Sequence, residues 1–233
     1  MNKNSVCPVC STSLNTVKHA HLTDLSRLNG NVRNNLLFSS STLVNVQHHE
    51  KVKAIPNFYF SFIIGGKIKD VCKNFIQESR NWTSPQNILI SVGINDIWRK
   101  STVELITELE NLVEVIKMQN NENRVVLSTL LYAPRYCHSS LPRYANLRGS
   151  ISFVNRFIGK YNKENTELSL DLSKYGLEQP VTQSSPIKFN YNAWREPSVK
   201  DKLHLKYEYK VSIAAEIFTI FSHLSASNGQ ARP

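Results

Sequence analysis

Residues 87–92 read NILISV, an apolar run with almost no alternation of polar and apolar positions. It is too short for a helix buried all round. A strand with one wet face alternates; one that does not alternate is covered on both faces, the condition of a parallel sheet between two helical layers. The rest of the chain fits that condition. Residues 35–38 (NLLF) form a short apolar strand running into Ser39-Ser40-Ser41, and 57–64 (NFYFSFII) are aromatic and β-branched, ended by Gly65-Gly66. Residues 124–130 (RVVLSTL) and 166–172 (TELSLDL) supply a fourth and a fifth strand. Helical spacing separates them. It appears in 67–79 (Ile68, Val71, Cys72, Phe75, Ile76), in 102–118 after a capping Ser101 or Thr102, in 144–162, and in 206–221. Strands alternating with helices give right-handed crossovers. The expected fold is therefore α/β, a three-layer αβα sandwich around a central, mainly parallel five-stranded sheet.

Residues 1–33 are polar, rich in Asn and Ser and without periodicity; they read as a tail, 34–225 as the folded domain, and 226–233 as a frayed end. The first residues lack an apolar core and no run of about 18 apolar residues occurs, so neither a secretory leader nor a membrane span is expected. With four cysteines, an intracellular setting, cytoplasmic or nuclear, is expected, with Cys72 and Cys137 as free thiols. Cys7-Pro8-Val9-Cys10 has zinc-knuckle spacing, followed by His19 and His21. These four make either a small structural zinc module or a degenerate finger; two histidines one residue apart can share a metal only on extended backbone. The net charge of +10 favours anionic partners, nucleic acid among them, or is a solubility bias. Arg135-Tyr136, Arg143-Tyr144, Arg148 and Arg156 interleave basic and aromatic residues, a pattern that suits single-stranded nucleic acid and equally a solvated helix face. The oligomeric state is not legible.

Function in such folds gathers at the carboxyl ends of the strands. Those ends carry Ser39-Ser40-Ser41, Gly65-Gly66 and Gly93-Ile94-Asn95-Asp96. Acyl transfer from a serine needs a hydroxyl, a base, a group that orients the base, and donors for the developing oxyanion. The loops offer hydroxyls, the Gly65 N–H and the Asn95 amide. Asp201-Lys202-Leu203-His204, just before the last helix, offers the base and its orienting carboxylate. An isolated D-x-x-H is more often a helix cap beside a solvated acid; the other strand-end signals are what give this one weight. Trp98 either walls a pocket or is core, and Trp194 either lies over the crevice or pins its loop.

In this order the motifs resemble those of the SGNH (GDSL-like) hydrolases. Gly93-Ile94-Asn95-Asp96 is similar to their GxND block, Asp201-x-x-His204-Leu205 to their DxxH block, and Gly65-Gly66 to their glycine block, with Gly65 the better match. The first block departs: where the family has Gly-Asp-Ser, this chain has Ser39-Ser40-Ser41, which puts Ser41 at the nucleophile's place and leaves Ser39 and Ser40 as alternatives. The resemblance implies a flavodoxin-like sheet. It implies hydrolysis of a small or lipid-like acyl ester with no metal or organic cofactor. Ser41 would be the nucleophile, His204 base then acid, Asp201 its orienting group, and Gly65 and Asn95, with the Ser41 N–H, the oxyanion donors; Asp96 would brace the loop. Its other implication is a domain of the same fold turned to RNA binding, as in the OSK domain of insect Oskar proteins, or one carried by a mobile-element protein beside a zinc knuckle.

Overall fold

The computed structural model describes residues 19–21, 33–43, 45–137, 147–179, 187–194 and 204–226; at 19–21, 41, 135, 136 and 207 the description is of the backbone alone. Strands β1 (His19–His21), β2 (Asn35–Ser40), β3 (Phe58–Ile63), β4 (Asn87–Ser91) and β5 (Arg124–Leu127) form one sheet in the order β1-β3-β2-β4-β5. β2, β3, β4 and β5 are parallel, and β1 pairs antiparallel with the outer edge of β3. The helices are α1 (Glu50–Lys53), α2 (Ile68–Glu78), α3 (Thr102–Gln119), α4 (Pro134–Cys137), α5 (Leu147–Asn165) and α6 (Tyr207–Ala226). α2 packs on α3 and α3 on α5, while α1 packs on α6, which gives the three layers. β2 and β4 are buried along their whole length, as expected of strands covered on both faces. Phe38 of β2 meets Phe75 of α2 edge-on, centroids 5.6 Å apart, in a core that also buries Leu36, Leu89 and Val126. Ser101 caps α3 through a capping box with Glu104.

Two sequence expectations are corrected. Residues 166–172 do not form a fifth parallel strand: Ser128↔Leu170 is a single bridge, and Glu167 takes a left-handed φ of 59°. The free edge of β5 is occupied otherwise. Asn162 of α5 accepts from Leu127 N–H (3.0 Å) and donates to Leu127 C=O (2.7 Å), and Asn155, two turns earlier, does the same at Leu130 (2.6 and 3.0 Å). These amides do what a neighbouring strand would do. The aperiodic stretch 1–33 in turn contributes β1, which covers the opposite edge.

Asn162 is 1% exposed, so its loss strands two buried backbone groups. Asn162→Leu is expected to cost about 2–6 kcal/mol, from about 1–3 kcal/mol for each of the two unsatisfied groups; urea denaturation of wild type and variant measures it.

A second polar cluster lies between β3 and α2. Asn74 donates to Ser61 Oγ (2.8 Å), which lies 3.4 Å from Glu78 Oε1, and burial raises the Glu78 carboxyl from 4.5 to about 7. The native state therefore binds more protons than the unfolded chain between pH 4.5 and about 7, and Glu78 lowers stability as pH rises through that window. The wild-type loss from this group is up to about 3 kcal/mol, and Glu78→Gln removes it. Denaturant midpoints at pH 4 and pH 8 should show the variant gaining on wild type at the higher pH.

Candidate active site

β2 ends in buried hydroxyls. Ser39 (1% exposed) donates from Oγ to Ser40 C=O at 2.6 Å, and Ser40 (0%) pairs its Oγ with Thr42 Oγ1 at 3.0 Å. Both are engaged inside the protein. Ser41 opens the one-turn helix Ser41–Leu43 directly after the strand.

β3 ends in a tight turn closed by Gly66 N–H on Ile63 C=O at 3.0 Å. Gly65 takes a φ of 67°, a conformation that favours glycine, and its backbone is exposed at the carboxyl end of the sheet. The loop after β4 begins at Gly93 (φ 110°), where a Cβ would lie 3.2 Å from Leu130. It then coils: Asp96 and Ile97 donate their N–H to Gly93 C=O, and Arg99 and Lys100 donate to Asp96 C=O.

Two bonds tie these loops together. Asn95 Nδ2 donates to Gly66 C=O at 3.0 Å, and Ile68 N–H, at the start of α2, donates to Asp96 Oδ2 at 3.0 Å. Asp96 is fully buried; burial raises its carboxyl, while the Ile68 N–H and Lys100, 3.1 Å away, act in the opposite direction. Lys100 also pairs with Glu108. Asp96 is thus a brace, as the sequence suggests. One amide hydrogen of Asn95 is used on Gly66, and an amide nitrogen carries two.

His204 is half-buried and precedes Leu205, which bridges to Trp194; Lys206 N–H donates to Ala193 C=O at 2.8 Å. Trp194 is 1% exposed and donates from Nε1 to Gly176 C=O at 3.1 Å, so it pins its loop and is not a cover over the crevice. α6 has 20 residues, about 30 Å. Its last turn reaches the starts of β5 and β2, where Leu224 C=O accepts from Arg124 at 2.7 Å and Ser225 Oγ lies 3.4 Å from Asn35 Oδ1. The helix runs against the strands, so its first turn and His204 stand toward their carboxyl ends, the end that carries Ser41, Gly65 and Asn95. Asp201 lies outside the described residues.

Cys7 and Cys10 also lie outside them. His19 and His21 are on the extended backbone of β1, opposite Ile63 and Ser61. Among the described residues no group of His, Cys, Asp and Glu could hold a metal ion. Trp98 is half-buried against the core. Of the basic and aromatic set, Arg143 and Tyr144 are outside the described residues, and Arg156 lies 5.9 Å from the exposed Phe153 ring. Sequence reasoning missed the Ile68 N–H tie and the Asp96–Lys100–Glu108 chain; the four-residue spacing of Asp96 and Lys100 in a coiled loop was the available signal. No helix among the described residues is long and apolar enough to cross a membrane.

No family model and no curated protein matches the chain. Solved structures do, and the class they define is the α/β fold of the GDSL-like (SGNH) hydrolases. A GDSL-like lipase from Bacteroides thetaiotaomicron superposes with a TM-score of 0.61 at 15% identity, over 87% of this chain and 94% of that one. An acetyl xylan esterase superposes with a TM-score of 0.52 at 17% identity, over 79% and 98%. The C-terminal domain of the Drosophila Oskar protein does so with a TM-score of 0.55 at 16% identity, over 87% and 96%. At these identities the likeness is one of fold.

Proposed function

We propose that the chain is an ester hydrolase of the serine type, acting on a small or lipid-like acyl ester. Ser41 Oγ attacks the ester carbonyl carbon while His204 takes its proton and Asp201 orients the imidazole. The Ser41 and Gly65 N–H groups and the Asn95 amide receive the oxyanion. His204 then returns the proton to the departing alcohol, and water, activated by the same imidazole, frees the acid from Ser41. The observation that supports the reading is the cross-tie between the loops after β3 and β4: Asn95 donates to Gly66 C=O at 3.0 Å, which joins the two loops that carry the proposed oxyanion donors. Two others support it. The Ser39 and Ser40 hydroxyls are buried and engaged, which leaves Ser41 as the serine of the three for attack, and the direction of α6 suits a base at that rim. Turnover of p-nitrophenyl acetate by wild type, Ser41→Ala and His204→Ala tests it.

A second reading has its own support: a domain of this fold that binds nucleic acid without turnover. Serine stands where the family pattern has its first glycine, the net charge is +10, and the Oskar C-terminal domain is among the structures of this fold. Equal background rates from all three proteins, together with salt-dependent retention of single-stranded RNA, would establish it.

A further inference from the structure

The loop after β4 carries two neighbouring cations with different fates. Lys100 is held by Asp96 and Glu108. Arg99 is exposed, and among the described residues it makes no ion pair with a carboxylate. Its guanidinium lies 4.2 Å from the centroid of the Trp98 ring, and Trp98 is itself fixed against the core. A guanidinium held over an aromatic ring still carries several N–H donors, two of which can bind two oxygens of a carboxylate or phosphate side by side.

Its position is set by the coil of the loop. Ile97 N–H to Gly93 C=O and Lys100 N–H to Asp96 C=O are bonds of the helical i to i+4 kind. Residues four apart on such a coil share a face, about 5–6 Å apart at Cβ. Arg99 N–H donates to Asp96 C=O, so Arg99 lies on the same coiled loop as Asn95, four residues on, and Asn95 reaches across to Gly66. An exposed arginine on its neighbour's ring adds only about 0.5–1 kcal/mol to stability. Folding alone thus gives little reason for a cation here, and the positive net charge attracts anions to the protein.

We infer that Arg99 is a specificity-determining residue that binds an oxyanion group, carboxylate or phosphate, carried by the substrate beside the ester held at Asn95. The inference rests on the ester-hydrolase reading and names the class of ester: a negatively charged one.

The full chain, as wild type, Arg99→Gln and Arg99→Lys, is assayed on p-nitrophenyl acetate, mono-p-nitrophenyl succinate and p-nitrophenyl phosphonoacetate. In Arg99→Gln, kcat/KM on a charged ester is expected to fall about ten- to a hundredfold, mostly through KM, with partial retention in Arg99→Lys and less than twofold change on the acetate. Loss on the succinate alone names a carboxylate, and loss on the phosphonoacetate a phosphate-type anion. Equal change on charged and neutral esters, or none, overturns the inference. A second readout needs no turnover. Inorganic phosphate and succinate are titrated while the Trp98 indole N–H resonance, assigned with Trp98→Phe, is followed by NMR. A saturable shift in wild type that is absent from Arg99→Gln supports the anion site even if no ester is hydrolysed, in which case the catalytic reading alone fails. Ester turnover with no Arg99-dependent shift and no Arg99-dependent kcat/KM leaves the hydrolase standing and sinks the anion site.

Discussion

Ser41→Ala and His204→Ala are each expected to lower kcat on p-nitrophenyl acetate by at least about 10³-fold, and the double variant to be no worse than the weaker single. Nucleophile and base act as one unit, so removing either removes the covalent route, and a second removal has nothing left to take. What remains is the contribution of the oxyanion donors and of binding, about 10³–10⁴ over water in serine hydrolases of this kind. Neither change should unfold the protein. Ser41 follows directly after a strand whose residues Ser39 and Ser40 keep their own bonds, and the segment before α6 is held by Leu205 and Trp194. Unchanged melting temperatures with lost turnover are therefore the expected pair of results. Additive losses in the double variant would show that the two side chains act separately.

Asn95→Ala is expected to lower kcat by about 10²–10³-fold, the range for one oxyanion donor, with KM nearly unchanged. The donor acts on charge that develops only in the transition state, so ground-state binding loses little. Asn95 has a structural bond as well, the 3.0 Å donation to Gly66 C=O, whose loss is worth about 1 kcal/mol of stability. The two roles separate by measurement: stability falls slightly, kcat falls by orders of magnitude. A fall in stability with kcat untouched would leave Asn95 as a loop tie and nothing more.

The strand–helix alternation of the chain was legible because it rests on period and burial. NILISV is a fully buried strand because both its faces meet helices, and the spacing of Leu105, Leu109, Leu112 and Ile116 marks the buried face of α3. The strand-end glycines were legible as well, since Gly65 and Gly93 take conformations that other residues avoid. The fifth strand was misread because TELSLDL alternates correctly while the competitor is written elsewhere, in two asparagines seven residues apart on α5 that occupy the edge of β5. His19–His21 is too short to carry a period. Glu78 closes α2, and its raised carboxyl comes from burial beside Ser61 of β3, a contact that no local pattern encodes. The candidate site was legible as separate motifs; that Ser39 and Ser40 turn inward, and that Asn95 and Asp96 bridge to Gly66 and Ile68, depends on contacts between segments that no local pattern encodes.

The most direct test is reaction with a fluorophosphonate probe, followed by mass spectrometry of the modified peptide. The account predicts a single adduct on Ser41 that disappears in Ser41→Ala and forms far more slowly in His204→Ala. An adduct on a different residue, or none under conditions that label a known serine esterase, would contradict it.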